Sequence, residues 1–247
     1  MGRVEAQFVG CGDAFGSGGR FQTCIGIRTS DDFFLVDCGA SSLVAMRQQK
    51  LEPRDVSKIL ITHLHGDHFG GLPFFLLDAQ LVSKRDAPLT IVGPPGLQER
   101  LMLAMEILFA GSSKVEPRFE LSFVELKPRT PTTIEQLKVT AFPAAHFSGA
   151  PSYSLRVDIE GKVFVYSGDT QWTDTLIEAS ADADLFVCES YVFDGPVPLH
   201  NSYAAILEHR HELSCKRIIL THLSEKMLSR AAEVELPMAE DGMTVVL

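Results

Sequence analysis

Short apolar runs, each only a few residues long and separated by glycine, proline and charged positions, recur along the whole chain. Residues 6–9, 23–27, 33–36, 58–62 and 89–92 are rich in β-branched and aromatic side chains and predict strands. Segments 41–49, 72–82 and 97–110, the last following Pro94-Pro95-Gly96, repeat their apolar positions at helical spacing and predict helices. The 97–110 segment, with Met102, Met105, Leu108 and Phe109, reads as core in preference to a dimer surface. In the second half 139–142 is apolar, Tyr153, Leu155, Val157 and Ile159 alternate, Glu160-Gly161 turns the chain, and 163–166 completes a hairpin. Helix 173–179, strand 185–188, helix 202–211, strand 217–221 and a β-favouring run 243–247 follow. No internal repeat or low-complexity linker interrupts this order, so the expectation is one α/β domain over 1–247, with sheets packed together and covered by helices.

Composition narrows the function. A chain of 247 residues that is 45% hydrophobic can bury a substantial core. The net charge of −10, without a dense lysine and arginine cluster, disfavours a long nucleic acid as partner. Five cysteines (Cys11, Cys24, Cys38, Cys188 and Cys215), irregularly spaced and without a CxxC pair, form neither a disulfide framework nor a zinc knuckle and read as small buried hydrophobes. The start MGRVEAQFVG lacks the apolar core of a signal peptide and no apolar stretch approaches a membrane span, so a cytoplasmic protein without membrane contact is expected. The glycine-rich stretch 10–20 lacks GxxxxGK[ST] and GxGxxG spacing and reads as a surface loop, not a nucleotide cradle.

The chemistry concentrates in ITHLHGDHFGG, residues 61–71. Four potential ligands (His63, His65, Asp67 and His68) within six positions are hard to explain structurally, since each is costly to bury without a partner. Their spacing does not fit one helical face; it places them on a loop after the strand 58–62, able to point His63 and His65 one way and Asp67 and His68 another. That suits two metals side by side, and imidazole with carboxylate suits zinc, with manganese or iron as alternatives. Further ligands are then needed, and His146, Asp169 and His222 each follow an apolar strand as the cluster does.

THLHGDH, the later His146, SGDT at 167–170 and LTH at 220–222 resemble the metallo-β-lactamase superfamily across nearly the whole chain. The resemblance implies a four-layer αββα sandwich, with His63, His65 and His146 on one metal, Asp67, His68 and His222 on the other, and Asp169 bridging. Within it the glycines of 8–19, HLHGDHFGGLP, IVGPPG at 91–96 and ADLFVCES followed by LHNS at 199–202 are similar to ribonuclease Z-like phosphodiesterases. In that branch an acid and a downstream histidine relay a proton to the leaving group; the matching residues are Glu189 and His200. The chain departs from the pattern in having Cys188 before the acid and Asn201-Ser202 after the histidine, and Glu189 can alternatively pair with Lys216 or Arg217. Members that process tRNA carry an RNA-gripping arm, in the bacterial form between the positions of His146 and Asp169; here 23 positions separate them, too few for an arm.

Two such ions lower the pKa of a bridging water and clamp both the attacking and leaving oxygens of a phosphodiester. The function expected is thus a dinuclear metal-dependent phosphodiesterase acting through a metal-bridging hydroxide on a small, cyclic or nucleotide-like substrate, with Asp67, His200 and Glu189 catalytic. Alternatives are a tRNA 3′-end processing endoribonuclease, a lactone, thioester or β-lactam hydrolase on the same fold, and a binding module with structural metals. Asp37, ending 33–37, is either a residue orienting a ligand histidine or a turn former before Gly39. The loops 10–20 and 147–152 are expected to shape specificity, and the resemblance makes a homodimer plausible.

Overall fold

Strands whose neighbouring side chains are both apolar need cover on both faces, and that requirement organises the molecule. The computed structural model describes residues 2–247. One sheet runs in the order β13 (Thr244–Val246), β1 (Glu5–Gly10), β2 (Cys24–Arg28), β3 (Phe33–Val36), β4 (Lys58–Leu60), β5 (Leu89–Gly93) and β6 (Leu121–Glu125). The other runs β12 (Ile218–Thr221), β11 (Leu185–Glu189), β10 (Lys162–Tyr166), β9 (Tyr153–Ile159), β8 (Leu137–Pro143) and β7 (Thr132–Ile134). Both are mixed: β3 to β6 are parallel, as are β10 to β12, and the remaining pairs are antiparallel.

Alternate residues of β3 show why there are four layers. Phe34 and Val36 join a core shared with Leu155, Val157, Phe164 and Val187 of the facing sheet, whereas Phe33 and Leu35 lie in a second core with Met46, Phe75 and Leu101. The helices α1 (Ser42–Gln48), α2 (Gly66–Phe69), α3 (Leu72–Leu81) and α4 (Leu97–Leu108) supply that second core. On the far side α5 (Thr175–Ser180), α6 (Tyr203–Glu208) and α7 (Glu225–Leu228) pack Leu176, Tyr203, Ile206 and Met227 against Val165, Phe186 and Leu220. The result is helix, sheet, sheet, helix, the αββα arrangement that the motifs imply. All five cysteines are buried and free.

Several boundaries differ from the sequence reading for physical reasons. The sequence pattern does not announce β6 and β7, because β6 is a half-exposed edge strand and β7 only three residues at the other sheet's edge. Helix α4 is neither all core nor all surface: Leu97, Leu101 and Met105 are buried at four-residue spacing, while Leu103, Ile107 and Leu108 are exposed. The segment 202–211 breaks at His209 into α6 and a single 3₁₀ turn at Arg210–Glu212. The hairpin β9–β10 forms as the alternation predicts, with Glu160 and Gly161 both at positive φ, the requirement of a tight primed turn.

The chain leaving β3 is stitched to α2. The Cys38 N–H donates to the His68 carbonyl at 2.6 Å, and the Gly71 N–H to the Cys38 carbonyl at 2.8 Å. A Cβ on Gly39 would sit 2.2 Å from the Asp67 carbonyl oxygen, and one on Gly71 2.3 Å from that of Gly39, whereas Gly66 has open space. Gly39→Ala and Gly71→Ala are each expected to cost about 1–3 kcal/mol, measured as a lowered urea midpoint. Gly66→Ala should cost less than either; equal losses at all three glycines would refute the close approach as the cause.

Candidate metal centre

The strands β3, β4, β8, β10, β11 and β12 all end at the same edge of the sandwich, where loops leaving carboxyl ends form a crevice. After β4 the chain carries His63 and then His65, the latter in extended backbone, and winds into α2, which holds Asp67 and His68. The cluster is therefore divided between a loop and a single helical turn, where the sequence reading has loop alone. His146 follows β8, Asp169 follows β10, Glu189 ends β11 and His222 follows β12.

Potential ligating atoms form two adjoining groups, His63, His65 and His146, and Asp67, His68, Asp169 and His222, and a third that joins Asp169 and His222 to Glu189 and His200. His65 Nδ1 and His146 Nε2 are 3.0 Å apart, and His222 Nε2 lies 3.1 Å from Asp67 Oδ2. Asp169 stands between the groups: its Oδ2 is 3.9 Å from both His63 Nε2 and His146 Nε2, and its Oδ1 is 3.2 Å from His68 Nε2 and 3.6 Å from His222 Nε2. His63 Nε2, His68 Nε2 and Asp169 Oδ1 are buried without a hydrogen-bond partner, a costly state that a bound cation relieves. The donor set of imidazoles and carboxylates fits divalent ions such as zinc.

Ring orientation is set from behind. Asp37 Oδ2 lies 2.7 Å from His68 Nδ1, and the Leu199 carbonyl 2.7 Å from His146 Nδ1, which leaves each Nε2 lone pair facing inward. Asp37 also accepts from the Thr62 N–H and hydroxyl, both at 2.8 Å, and the same hydroxyl meets His63 Nδ1 at 3.0 Å. Both readings of Asp37 hold together, since it orients His68 from a left-handed backbone, φ +60°. Burial pushes the His63 imidazolium well below its usual range, and the neighbouring imidazoles push the same way. Burial opposes ionisation of Asp67 and Asp169, yet the surrounding histidines hold both carboxyls below the usual range. His222 runs the other way: burial lowers it, but Asp169, Asp67 and Glu189 carry it up to about 10.

Glu189 is fully buried and hydrogen-bonds His200 Nδ1 through Oε1; its Oε2 accepts from the Thr170 N–H at 2.7 Å. It pairs with neither Lys216, which is held by Asp184 at 2.8 Å, nor Arg217, which reaches the Val246 carbonyl. Burial lowers His200, but the hydrogen bond and charge of Glu189 outweigh it and raise the imidazolium above its usual range. All nine residues singled out by sequence thus meet in one crevice. Sequence reasoning assigned no role to Thr62, Ser167, Thr170 or Tyr191. Three of these are letters of the THLHGDH and SGDT motifs, but hydroxyls and backbone donors leave no periodic signal. The Ser167 hydroxyl accepts from the Glu189 N–H at 2.8 Å, and the Tyr191 ring stacks on His200.

Residues 4–242 match the family model described as Anti-Pycsar protein Apyc1. A ribonuclease Z from Methanothermobacter thermautotrophicus is 27% identical, with 98% of this chain and 96% of that protein covered. That alignment runs over 301 positions against 247 residues here, so the relative carries segments that this chain lacks. The crystal structure of human tRNase Z, short form, superposes with a TM-score of 0.79 at 27% identity, covering 98% of each chain. The metallo-β-lactamase fold protein YhfI from Bacillus subtilis superposes at 0.81 over the whole of both chains with 19% identity, a likeness of fold.

Removing the carboxylate behind His68 should loosen one ion more than the other. Asp37→Ala is expected to weaken the weaker-held zinc by about 10–100-fold, read by competition with a chromophoric chelator. Unchanged affinity at both positions would show that Asp37 does not orient a ligand.

Proposed function

The chain belongs to the family described as Anti-Pycsar protein Apyc1 and is a ribonuclease Z-like member of the metallo-β-lactamase superfamily, and on that premise we propose that it is a dinuclear phosphodiesterase for small, cyclic or nucleotide-like phosphodiesters. It is a metal-dependent hydrolase. The observation that carries the phosphodiester reading is the buried Glu189–His200 pair beside Asp169, with His200 Nδ1 3.8 Å from Asp169 Oδ2. A thiolate departs without a proton, so hydrolysis of a thioester does not call for a carboxylate-oriented imidazole at that place.

His63, His65 and His146 would hold one ion, and Asp67, His68 and His222 the other, with Asp169 shared. Bound there, the ions supply a water acidified towards neutral pH and positive charge for the phosphoryl oxygens. Zinc is the proposed metal, with manganese or iron as substitutes. The chain's own groups do the rest. Asp67 accepts a hydrogen bond from the attacking water, while Asp37 and the Leu199 carbonyl keep His68 and His146 in the ligating tautomer. Glu189, accepting from Nδ1, leaves His200 Nε2 to carry the proton that the departing alkoxide needs.

Small substrates are supported by the separation of His146 and Asp169, only 23 positions, most of it taken up by the hairpin β9–β10. The net charge of −10 points the same way. The second reading, tRNA 3′-end processing, is favoured by the names of the relatives. Among the described residues no helix is long and apolar enough to cross a membrane.

The test uses leaving groups of different basicity. On a diester with an alkoxide leaving group, His200→Ala is expected to lose about 10²-fold or more in kcat, with two metals per chain retained. On bis(p-nitrophenyl) phosphate, whose phenolate departs without a proton, the loss should be much smaller. Equal losses on both would remove His200 from the proton relay. Faster turnover of precursor tRNA than of cyclic nucleotides would favour the second reading.

A further inference from the structure

Three of the candidate ligand rings are held from behind by a hydrogen bond: His63 by the Thr62 hydroxyl, His68 by Asp37 and His146 by the Leu199 carbonyl. His222 is different. Its Nδ1 is buried and, among the described residues, makes no hydrogen bond, with Glu189 Oε1 3.5 Å away. Its backbone is left-handed, φ +58°, a conformation that a non-glycine residue keeps only where its surroundings over-determine it. The direction of this ring therefore has to be set through its main chain.

Cys11, the residue that follows β1, grips that main chain. Its carbonyl accepts from the His222 N–H at 3.1 Å and from the Thr221 hydroxyl at 3.2 Å, so the end of β12 is held by one carbonyl group. The N–H side of the same residue is taken by Asp241. Asp241 Oδ1 accepts from the Cys11 N–H at 3.0 Å and from the Cys11 thiol at 3.2 Å, and Oδ2 accepts from the Phe21 N–H at 2.8 Å. One carboxylate thus closes both ends of the loop between β1 and β2, where the Gly12 N–H also donates to the Phe21 carbonyl at 2.7 Å. Burial, and after it the charge of Asp241, push the Cys11 thiol above its usual range, so it stays a donor.

Asp241 is itself fixed in place, because residues 237–243 bond to both sheets. The Leu220 N–H donates to the Pro237 carbonyl at 2.8 Å and the Ala239 N–H to the Leu220 carbonyl at 2.7 Å, which ties the segment to β12. Beyond Asp241 the Gly242 N–H donates to the Phe8 carbonyl at 2.7 Å, which ties it to β1.

We propose that Asp241 is a positioning residue for the metal ligand His222, acting through the main chain of Cys11. Without it the Cys11 N–H, on a residue only 1% exposed, loses its acceptor, and the carbonyl that fixes His222 loses its orientation. Asp241 touches neither ion nor substrate; its effect on both runs through the placement of one ring. This inference rests on the two-ion reading of the site and adds to it a residue more than 200 positions away from the loop it holds.

The experiment measures zinc affinity by competition with a chromophoric chelator, beside the urea midpoint of the metal-free protein. Asp241→Ala is expected to weaken one of the two zinc ions by about 10-fold or more and to leave the other within about 2-fold. Asp241→Asn, which keeps one acceptor oxygen, should weaken the same ion less; where Asp241→Ala does not fold, Asp241→Asn decides in its place. In a His222→Ala chain the remaining zinc should be held alike whether residue 241 is Asp or Ala, since the two changes act on one interaction. Further weakening in that chain, or equal weakening of both ions in the single variant, would show general loosening and overturn the assignment. Two ions held as tightly in the variants as in the wild-type chain would overturn it alone. A wild-type chain that binds fewer than two zinc ions would overturn the two-ion reading and this inference together.

Discussion

A buried carboxylate costs several kcal/mol unless donors surround it, and Asp37 is the one on which the geometry of this crevice depends. Burial pushes its carboxyl above the usual range, against the opposing pull of His68 and the two donors of Thr62. Those partners belong to the chain leaving β4, so satisfying Asp37 fixes the path of the histidine segment relative to β3. The backbone bonds of Cys38 to His68 and of Gly71 to Cys38 close the same seam. Side chains with bulk at Gly39 or Gly71 would hold the seam open, which gives the second glycine of the HFGG run and the one after Cys38 a physical task.

The second sheet meets this seam with its own network. Ser167 accepts from Glu189, and Glu189 accepts from Thr170 and His200, so the loop carrying Asp169 and the end of β11 hold one another. Three residues in the same place, Asp37, Leu199 and His222, have left-handed φ although none is glycine. Such conformations persist only where surrounding bonds over-determine them. At Leu199 the strain turns a carbonyl onto His146, and at His222 it coincides with a backbone bond to the Cys11 carbonyl at 3.1 Å. Strain is thus converted into ring orientation on both sides of Asp169.

Much of this was legible in the residues. Doubly apolar strands such as 33–36 announced buried sheets because each face needs cover, and HxHxDH announced a metal site because four polar groups in six positions are too costly to bury together without an ion to bind. The remaining ligands were legible only jointly, as polar residues after apolar strands, since one histidine at a strand end carries little information. Edge strands β6 and β7 were not legible, because half-exposed or three-residue strands lose the periodicity that marks buried ones. Nor were Thr62 and Tyr191, whose roles arise from a hydroxyl geometry and a ring stack that depend on tertiary placement.

The proposed phosphodiester chemistry and the charge of the chain place opposite demands on one surface. An acidic chain repels phosphates at a distance, so on that reading recognition of a diester has to come from short-range contacts, above all cations held in the crevice. On the same reading, a long RNA would add further phosphates outside that range, facing a chain of net negative charge. On the proposed reading, a single small diester meets the crevice and little else. The short β9–β10 connection agrees with the proposed small substrate, since it offers no extended grip.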